Sequence, residues 1–231
     1  MSAAPVMLAI ETSQREASVA LRDRRGDVHE EALSPKKRHD DDLLPSIDRV
    51  FARAGLRSGD LRDGAVAVSI GPGGFTGLRI AIATAKMLAE TLQVKLLAVP
   101  SALVAADAHE GDGPILVALA CKNDTFWLTR LDRDGPDRWR IVGEPAIARS
   151  ETFDFSGVRA VLADEHFPDA ARARLDDAGI HIAPLRLTAH ACLAVGQRML
   201  ERGAVIDPLH LLPLYPREPE AVTLWNARRH E

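Results

Sequence analysis

The chain has 231 residues, 46% apolar and 27% charged, with a formal net charge of −4 and two cysteines. That length accommodates one large domain or two lobes with a full core. The mild acidity excludes a protein that grips nucleic acid alone through a broad basic face, and Cys121 with Cys192 is too little for a disulfide framework or a thiolate metal motif. The apolar run near the N-terminus turns polar at Glu11, and no later run approaches a membrane span, so a cytoplasmic protein is expected.

Three strand-like segments come first: 6–12 (VMLAIET), 17–23 (ASVALRD) and the more polar 27–33 (DVHEEAL). Short polar turns join them, which predicts an antiparallel meander. A helix is expected over 39–55, with an acidic start that suits the positive end of its dipole and Gly55 as its stop. Pro45 places the start of that helix near Asp40 to Asp42, since proline is tolerated only within about the first turn. A buried strand over 65–70 (AVAVSI), the loop GPGGFTGLR (71–79), a helix over 77–92, a strand over 95–100 and a short helix over 101–111 ending in glycine complete the first half.

The order then restarts. Strand candidates lie at 115–121, 125–134 and 138–147, followed after a less regular stretch by 159–165 and 179–185. A helix over 190–203 is capped by Gly203, and the tail is proline-rich and extended. Each half thus opens strand-strand-strand, at a period of about 110 residues. The duplicated βββαβα order predicts an α/β protein of the actin, sugar-kinase and Hsp70 ATPase plan, divided into a lobe over 1–110 and a lobe over 111–231. A doubly wound parallel α/β domain is the alternative, and the antiparallel opening counts against it.

Candidate chemistry is sparse. In the turn 11–18, the hydroxyls of Thr12 and Ser13 with free backbone N–H groups could hold phosphate, and Glu11 could serve as the accompanying acid. No glycine lies between 11 and 18 to let a phosphate approach the backbone. No two of the eight histidines lie four or five apart, so no zinc-binding helical pair exists; no metal site is expected. There is no GxSxG elbow, and neither cysteine is tied by a motif to a histidine, so no catalytic residue is assigned. GPGGFTGLR lacks the GK[ST] of a P-loop and misses the dinucleotide spacing by one residue. Gly71, Gly73, Gly74 and Thr76 join Thr12 and Ser13 as a secondary phosphate-loop candidate, through N–H groups at a helix start.

The helix after that loop is more informative. Its polar residues Arg79, Lys86, Glu90 and Gln93 form one narrow stripe, and the rest is apolar over far more than the arc of ~100° that one supporting sheet requires. Ile80, Ala83, Thr84 and Met87 make a second face of small residues with one adaptable methionine. Burial under the helix over 39–55 and docking of a second protein are both open at this point.

VMLAIETSQREASVAL, RHDDDLLPSIDRVFARAG, AVSIGPGGFTGLRIAIATAKMLAE and PLYPREPEA together resemble the bacterial TsaB (YeaZ) family, over the first hundred or so residues and again near the C-terminus. The resemblance implies an actin-like fold with a reduced second lobe. It implies a non-catalytic subunit that forms a heterodimer with TsaD, the catalytic paralogue that threonylcarbamoylates adenosine 37 of tRNA. TsaE, an ATPase, is the implied third partner; tRNA is met indirectly, and the isolated chain can form a homodimer through the same surface. No cofactor is held tightly by this chain alone, ATP or ADP entering at the level of the complex. By resemblance the partner surface comprises Leu43, Leu44 and Ile47 on the first helix and Ile80, Ala83, Thr84 and Met87 on the second. The chain departs from the family pattern at Gly74, where serine is usual, at Asp40, and over Cys121 to Asp124. An ATP-dependent phosphotransferase of the sugar-kinase type and a glycoprotease-type metallopeptidase are the alternative functions.

Overall fold

The computed structural model describes residues 4–36, 39–121, 124–135, 138–216 and Trp225. The opening meander is β1 (Met7–Glu11), β2 (Ser18–Arg22) and β3 (Val28–Ala32), paired antiparallel throughout. The helix α1 (His39–Arg53) leads through a 3₁₀ turn to β4 (Ala65–Gly71). Then follow α2 (Phe75–Leu92), β5 (Lys95–Pro100) and α3 (Ser101–Asp107). The strands β4 and β5 run parallel to β1, and the sheet order is β3-β2-β1-β4-β5. The antiparallel meander rules out the doubly wound alternative.

The second half repeats this plan. The strands β6 (Ile115–Ala120), β7 (Thr125–Arg133) and β8 (Trp139–Arg149) pair antiparallel, while β9 (Ala160–Ala163) and β10 (His181–Pro184) run parallel to β6. The order β10-β9-β6-β7-β8 is the first sheet's order read from the other edge. Two helices belong to this half, α4 (Asp169–Asp177) and α5 (Ala189–Glu201). The fold is therefore actin-like, two copies of one mixed sheet.

Alternation along the strands builds five layers. Val6, Leu8 and Ile10 of the first strand, with Val66 and Val68 of β4, face outward to Leu43, Ile47 and Phe51 of α1 and Ala81, Ala85 and Leu88 of α2. Met7, Ala9, Ala65 and Ala67 face inward to a middle layer of α3 and α5, which also meets Ile115, Val117 and Leu119 of the second sheet. All but Met7 of these inward side chains are alanines, because α5 lies almost on the strands. A Cβ at Gly196 would sit 2.5 Å from the Ala67 Cβ and 2.7 Å from the Met7 Cε. Although α5 comes late in the chain, it covers the first sheet.

The second lobe is reduced at one place. Where α1 follows β3, the corresponding connection after β8 is a loop among the described residues, and aromatic packing replaces the helix. Phe126 meets Phe153 edge-on at 5.1 Å and Phe167 at 4.9 Å, and Arg174 donates to the Ser150 carbonyl at 2.7 Å while stacking on Phe153.

Most elements match the sequence reading. Gly55 and Gly203 adopt positive φ just past their helices, as expected of C-terminal stops. Three details differ. The first helix begins at His39, so Pro45 lies in its second turn. Pro45 and Asp41 are both exposed there, where water can replace the missing bond to the Asp41 carbonyl. The helix α3 stops at Asp107, and Gly111 takes no part in its end. The helix α4 lies in the stretch read as irregular; only Ala171 and Leu175 of it are buried, too few to register as a pattern.

Candidate docking face and the loops beneath it

The glycine loop is a packing device. Gly71 closes β4 with φ +100, and Gly74 is the N-cap of α2 without a side chain to cap it. The β1–β2 turn lies directly against the loop: the Gly74 N–H donates to the Ser13 carbonyl at 2.7 Å. At Gly73 a Cβ would stand 2.3 Å from that same oxygen and 2.6 Å from the Ser13 Cβ, so only glycine admits the turn. The Thr12 hydroxyl donates to the Gly77 carbonyl at 2.8 Å, inside the first turn of α2. From the other side the chain returns after α5, and the Leu214 N–H donates to the Ile70 carbonyl at 2.7 Å.

A buried carboxyl pins this junction. Glu11 is fully buried, and its Oε1 accepts from both the backbone N–H and the hydroxyl of Ser13, while Oε2 is in hydrogen-bond range of no donor among the described residues, Ser69 acting on it from farther off. Ser69 and Ser101 hydrogen-bond to each other nearby at 2.9 Å. Burial pushes the Glu11 carboxyl above its ordinary value of 4.5, against the pull of donors from Ser13 and Ser69. Burial also pushes the thiol of Cys192 well above 9.0, with Glu11 and Asp107 adding to it, so that thiol is neutral and inert.

The direction of the Glu11 shift sets a pH dependence. Below 4.5 both folded and unfolded chains hold the proton; above it, the folded chain holds the proton that the unfolded chain has lost, so stability falls as pH rises across the shifted window. Glu11→Gln, which keeps a neutral acceptor toward Ser13, is expected to raise the melting temperature near neutral pH. The gain should vanish by about pH 4, where glutamate is itself neutral. Paired thermal melts at the two pH values measure this, and an equal effect at both would contradict it.

The same contacts answer whether the phosphate-loop candidates fit a nucleotide. The Thr12 and Ser13 hydroxyls and the Gly74 N–H are donors already given to Gly77, Glu11 and Ser13, and a Cβ at Gly73 would run into Ser13. Thr76 is exposed on the first turn of α2, and Gly71 lies beneath the returning tail, whose Leu214 carbonyl is 3.1 Å from the place of its Cβ. The six residues are brought together, as a clamp around the start of α2. Three of the donors that a phosphate would need are thus spent inside the clamp.

The helices over this clamp present a mixed face. Leu43 and Ile47 are buried in the lobe's own core, as is Thr84, so these three residues support the surface and do not form it. Ile80 is half-buried. Leu44, Met87 and Phe75 are exposed at 48%, 46% and 48%, and Ala83 is exposed between them on α2. The excess apolar arc of α2 is therefore shared between internal burial and an open strip.

Phe75 and Arg79 continue the strip; sequence reasoning placed Arg79 in the polar stripe of this helix but gave no site role to it, to Phe75 or to Tyr215. The Arg79 guanidinium lies 3.7 Å over the Phe75 ring, its Nε donates to the Tyr215 hydroxyl at 2.9 Å, and the two rings stack at 5.3 Å. The three residues sit in the GPGGFTGLR and PLYPREPEA blocks, but no spacing within either block joins one to the other.

A cleft of about 870 Å³ separates the lobes at the ends of β9 and β10. Within its charged lining Asp164 accepts from the Ala120 and His166 N–H groups, and Arg172 donates to the Asp164 and Phe167 carbonyls. Among the described residues no group of three potential ligands could hold a metal ion, and no helix is long and apolar enough to cross a membrane.

Residues 26–185, more than half of the chain, match the domain model described as TsaD: tRNA N6-adenosine threonylcarbamoyltransferase. The tRNA threonylcarbamoyladenosine biosynthesis protein TsaB of Escherichia coli is 25% identical over 225 residues, covering 91% of this chain and 94% of that protein. The TsaB of Buchnera aphidicola from Schizaphis graminum is 35% identical over 94 residues, 41% of this chain and 43% of its own length. Among solved structures, YeaZ from Pseudomonas aeruginosa superimposes with a TM-score of 0.75 at 23% identity, covering 91% of this chain and 99% of that one. By the matched domain, the curated relatives and the shared architecture, the chain belongs to the TsaB (YeaZ) family.

Proposed function

We propose that this chain is a non-catalytic scaffold and activator subunit that docks a TsaD-type threonylcarbamoyltransferase through α1 and α2. Membership of the family implicates it in tRNA threonylcarbamoyladenosine biosynthesis. The observation that carries the finer reading is the apolar strip of Leu44, Ala83, Met87 and Phe75, left open on a helix pair whose other face already fills the core. Exposed apolar residues set side by side on packed helices offer a partner helix a dry surface. The clamp around Gly73 holds α2 in place for that role and gives up its phosphate donors in doing so. On this reading nucleotide and TsaE act at the level of the complex, tRNA is met through the partner, and the isolated chain pairs with itself on the same strip.

Sedimentation velocity of the chain mixed with the TsaD-type subunit of the same cell, at micromolar concentration, tests the reading. A one-to-one complex that forms at the expense of any homodimer is expected. Two unchanged boundaries would overturn it.

A further inference from the structure

We propose that Arg79 is the polar anchor of this docking face, and that it receives a carboxylate from the partner protein. The inference rests on the docking role proposed above and adds the chemistry that the partner must present.

Three observations carry it. First, Arg79 is exposed, yet its guanidinium is fixed in place. It lies on the Phe75 ring, and its Nε is held by the Tyr215 hydroxyl. A guanidinium held in plane has lost its rotational freedom before any ligand arrives, so less is lost on binding. Second, the fixing groups occupy only Nε and one ring face. Among the described residues no carboxylate pairs with Arg79, and its two terminal nitrogens keep their outward N–H fork. That fork matches the two oxygens of a carboxylate. Third, the surroundings select a protein over an RNA backbone. Leu44, Ala83, Met87 and Phe75 are apolar, and Asp41, Asp48 and Glu90 are exposed on the same two helices, where Arg49 and Arg53 are already paired with Glu31 and Lys86 is half-buried. A chain of net charge −4 offers no compensating basic field.

Tyr215 gives the device its second part. It lies 136 residues from Arg79 in sequence, and the tail carrying it is held by the Leu214 bond to Ile70. Seating of the tail therefore positions Arg79, and a loosened tail would leave the arginine free to swing. Tyr215 is a positioning residue for the anchor.

The test measures the dissociation constant for the TsaD-type subunit by calorimetry, at low and at high salt. Arg79→Ala is expected to weaken binding about 30-fold or more and to flatten its salt dependence. Tyr215→Phe, which removes only the hydroxyl and leaves the stack, is expected to weaken it about fivefold. The double variant should bind no more weakly than Arg79→Ala alone, because the hydroxyl acts through the arginine. Leu44→Asp, on the other helix, serves as the control for the face itself. If Leu44→Asp abolishes binding while Arg79→Ala binds like the wild type, the anchor is overturned and the docking face stands. If both bind like the wild type, the docking face fails and the anchor with it. If Arg79→Ala spares subunit association but lowers retention of tRNA by the assembled complex, the arginine serves RNA phosphate and the proposal is likewise overturned.

Discussion

Ala83→Glu is expected to leave the chain folded and to abolish its complex with the TsaD-type subunit. Ala83 sits in the middle of α2 with its side chain in solvent, while Ala81, Ala85 and Leu88 of the same helix hold the core. Glutamate is a good helix former, so the helix itself is not weakened appreciably. In the complex, however, the new carboxylate either loses its water in the apolar strip or turns back onto the Arg79 guanidinium four residues earlier and takes the place of a partner group there. Stranding a charge in this way costs on the order of 2–5 kcal/mol, roughly a 30-fold to several-thousand-fold loss of affinity. Leu44→Asp should act in the same manner from α1. Its neighbour supplies the contrast: Leu43 is 1% exposed against 48% for Leu44, so Leu43→Asp should unfold the lobe. Thermal melts of the three variants, beside sedimentation of each with the partner, separate loss of docking from loss of folding. Wild-type association by Ala83→Glu and Leu44→Asp would place the docking face elsewhere.

That contrast also shows how far the sequence could be read. The duplicated strand order was plain because β1, β4 and β6 are continuous apolar runs between sharp turns, and the meander strands alternate. The surplus apolar arc of α2 was equally visible. What a helical pattern cannot state is how much of such an arc its own domain consumes. Thr84 and Ile47 went to the core and Met87 did not, and the division depends on where α1 crosses. The Phe75–Arg79–Tyr215 cluster was beyond reach for another reason: it joins segments that meet only after the whole second lobe has been threaded, and no local spacing encodes such a meeting. The close seat of α5 is similar. Gly196 reads as a weak point inside a helix until Ala67 and Met7 are found against it.

Two adjacent glycines provide the sharpest test of the clamp. Gly73→Val is expected to destabilise the first lobe and to weaken docking although residue 73 precedes the helix that carries the docking strip. Any Cβ there overlaps the Ser13 carbonyl oxygen at 2.3 Å and the Ser13 Cβ at 2.6 Å, and backbone atoms cannot rotate aside. Either the β1–β2 turn or the start of α2 must move. Moving the turn breaks the Gly74-to-Ser13 and Thr12-to-Gly77 hydrogen bonds and pulls Ser13 from the buried Oε1 of Glu11. Overpacking of this kind costs about 1–3 kcal/mol, and a buried carboxylate oxygen stripped of its donors adds a penalty of similar size. Because α2 starts one residue beyond Gly74, the strip of Ala83 and Met87 shifts with it. Gly74→Ser should do the opposite. Its Cβ would meet only the Ser13 oxygen, at an ordinary 3.6 Å, and the backbone there is extended, as an N-cap requires. A serine hydroxyl at that position can accept from the first-turn N–H groups of α2, stabilising the helix by a few tenths of a kcal/mol. Chemical denaturation should therefore show a fall in stability for Gly73→Val and a small rise for Gly74→Ser, with docking lost only in the first. Equal behaviour of the two variants would mean that the loop is flexible turn and not clamp, and α2 would have to be held by the sheet alone.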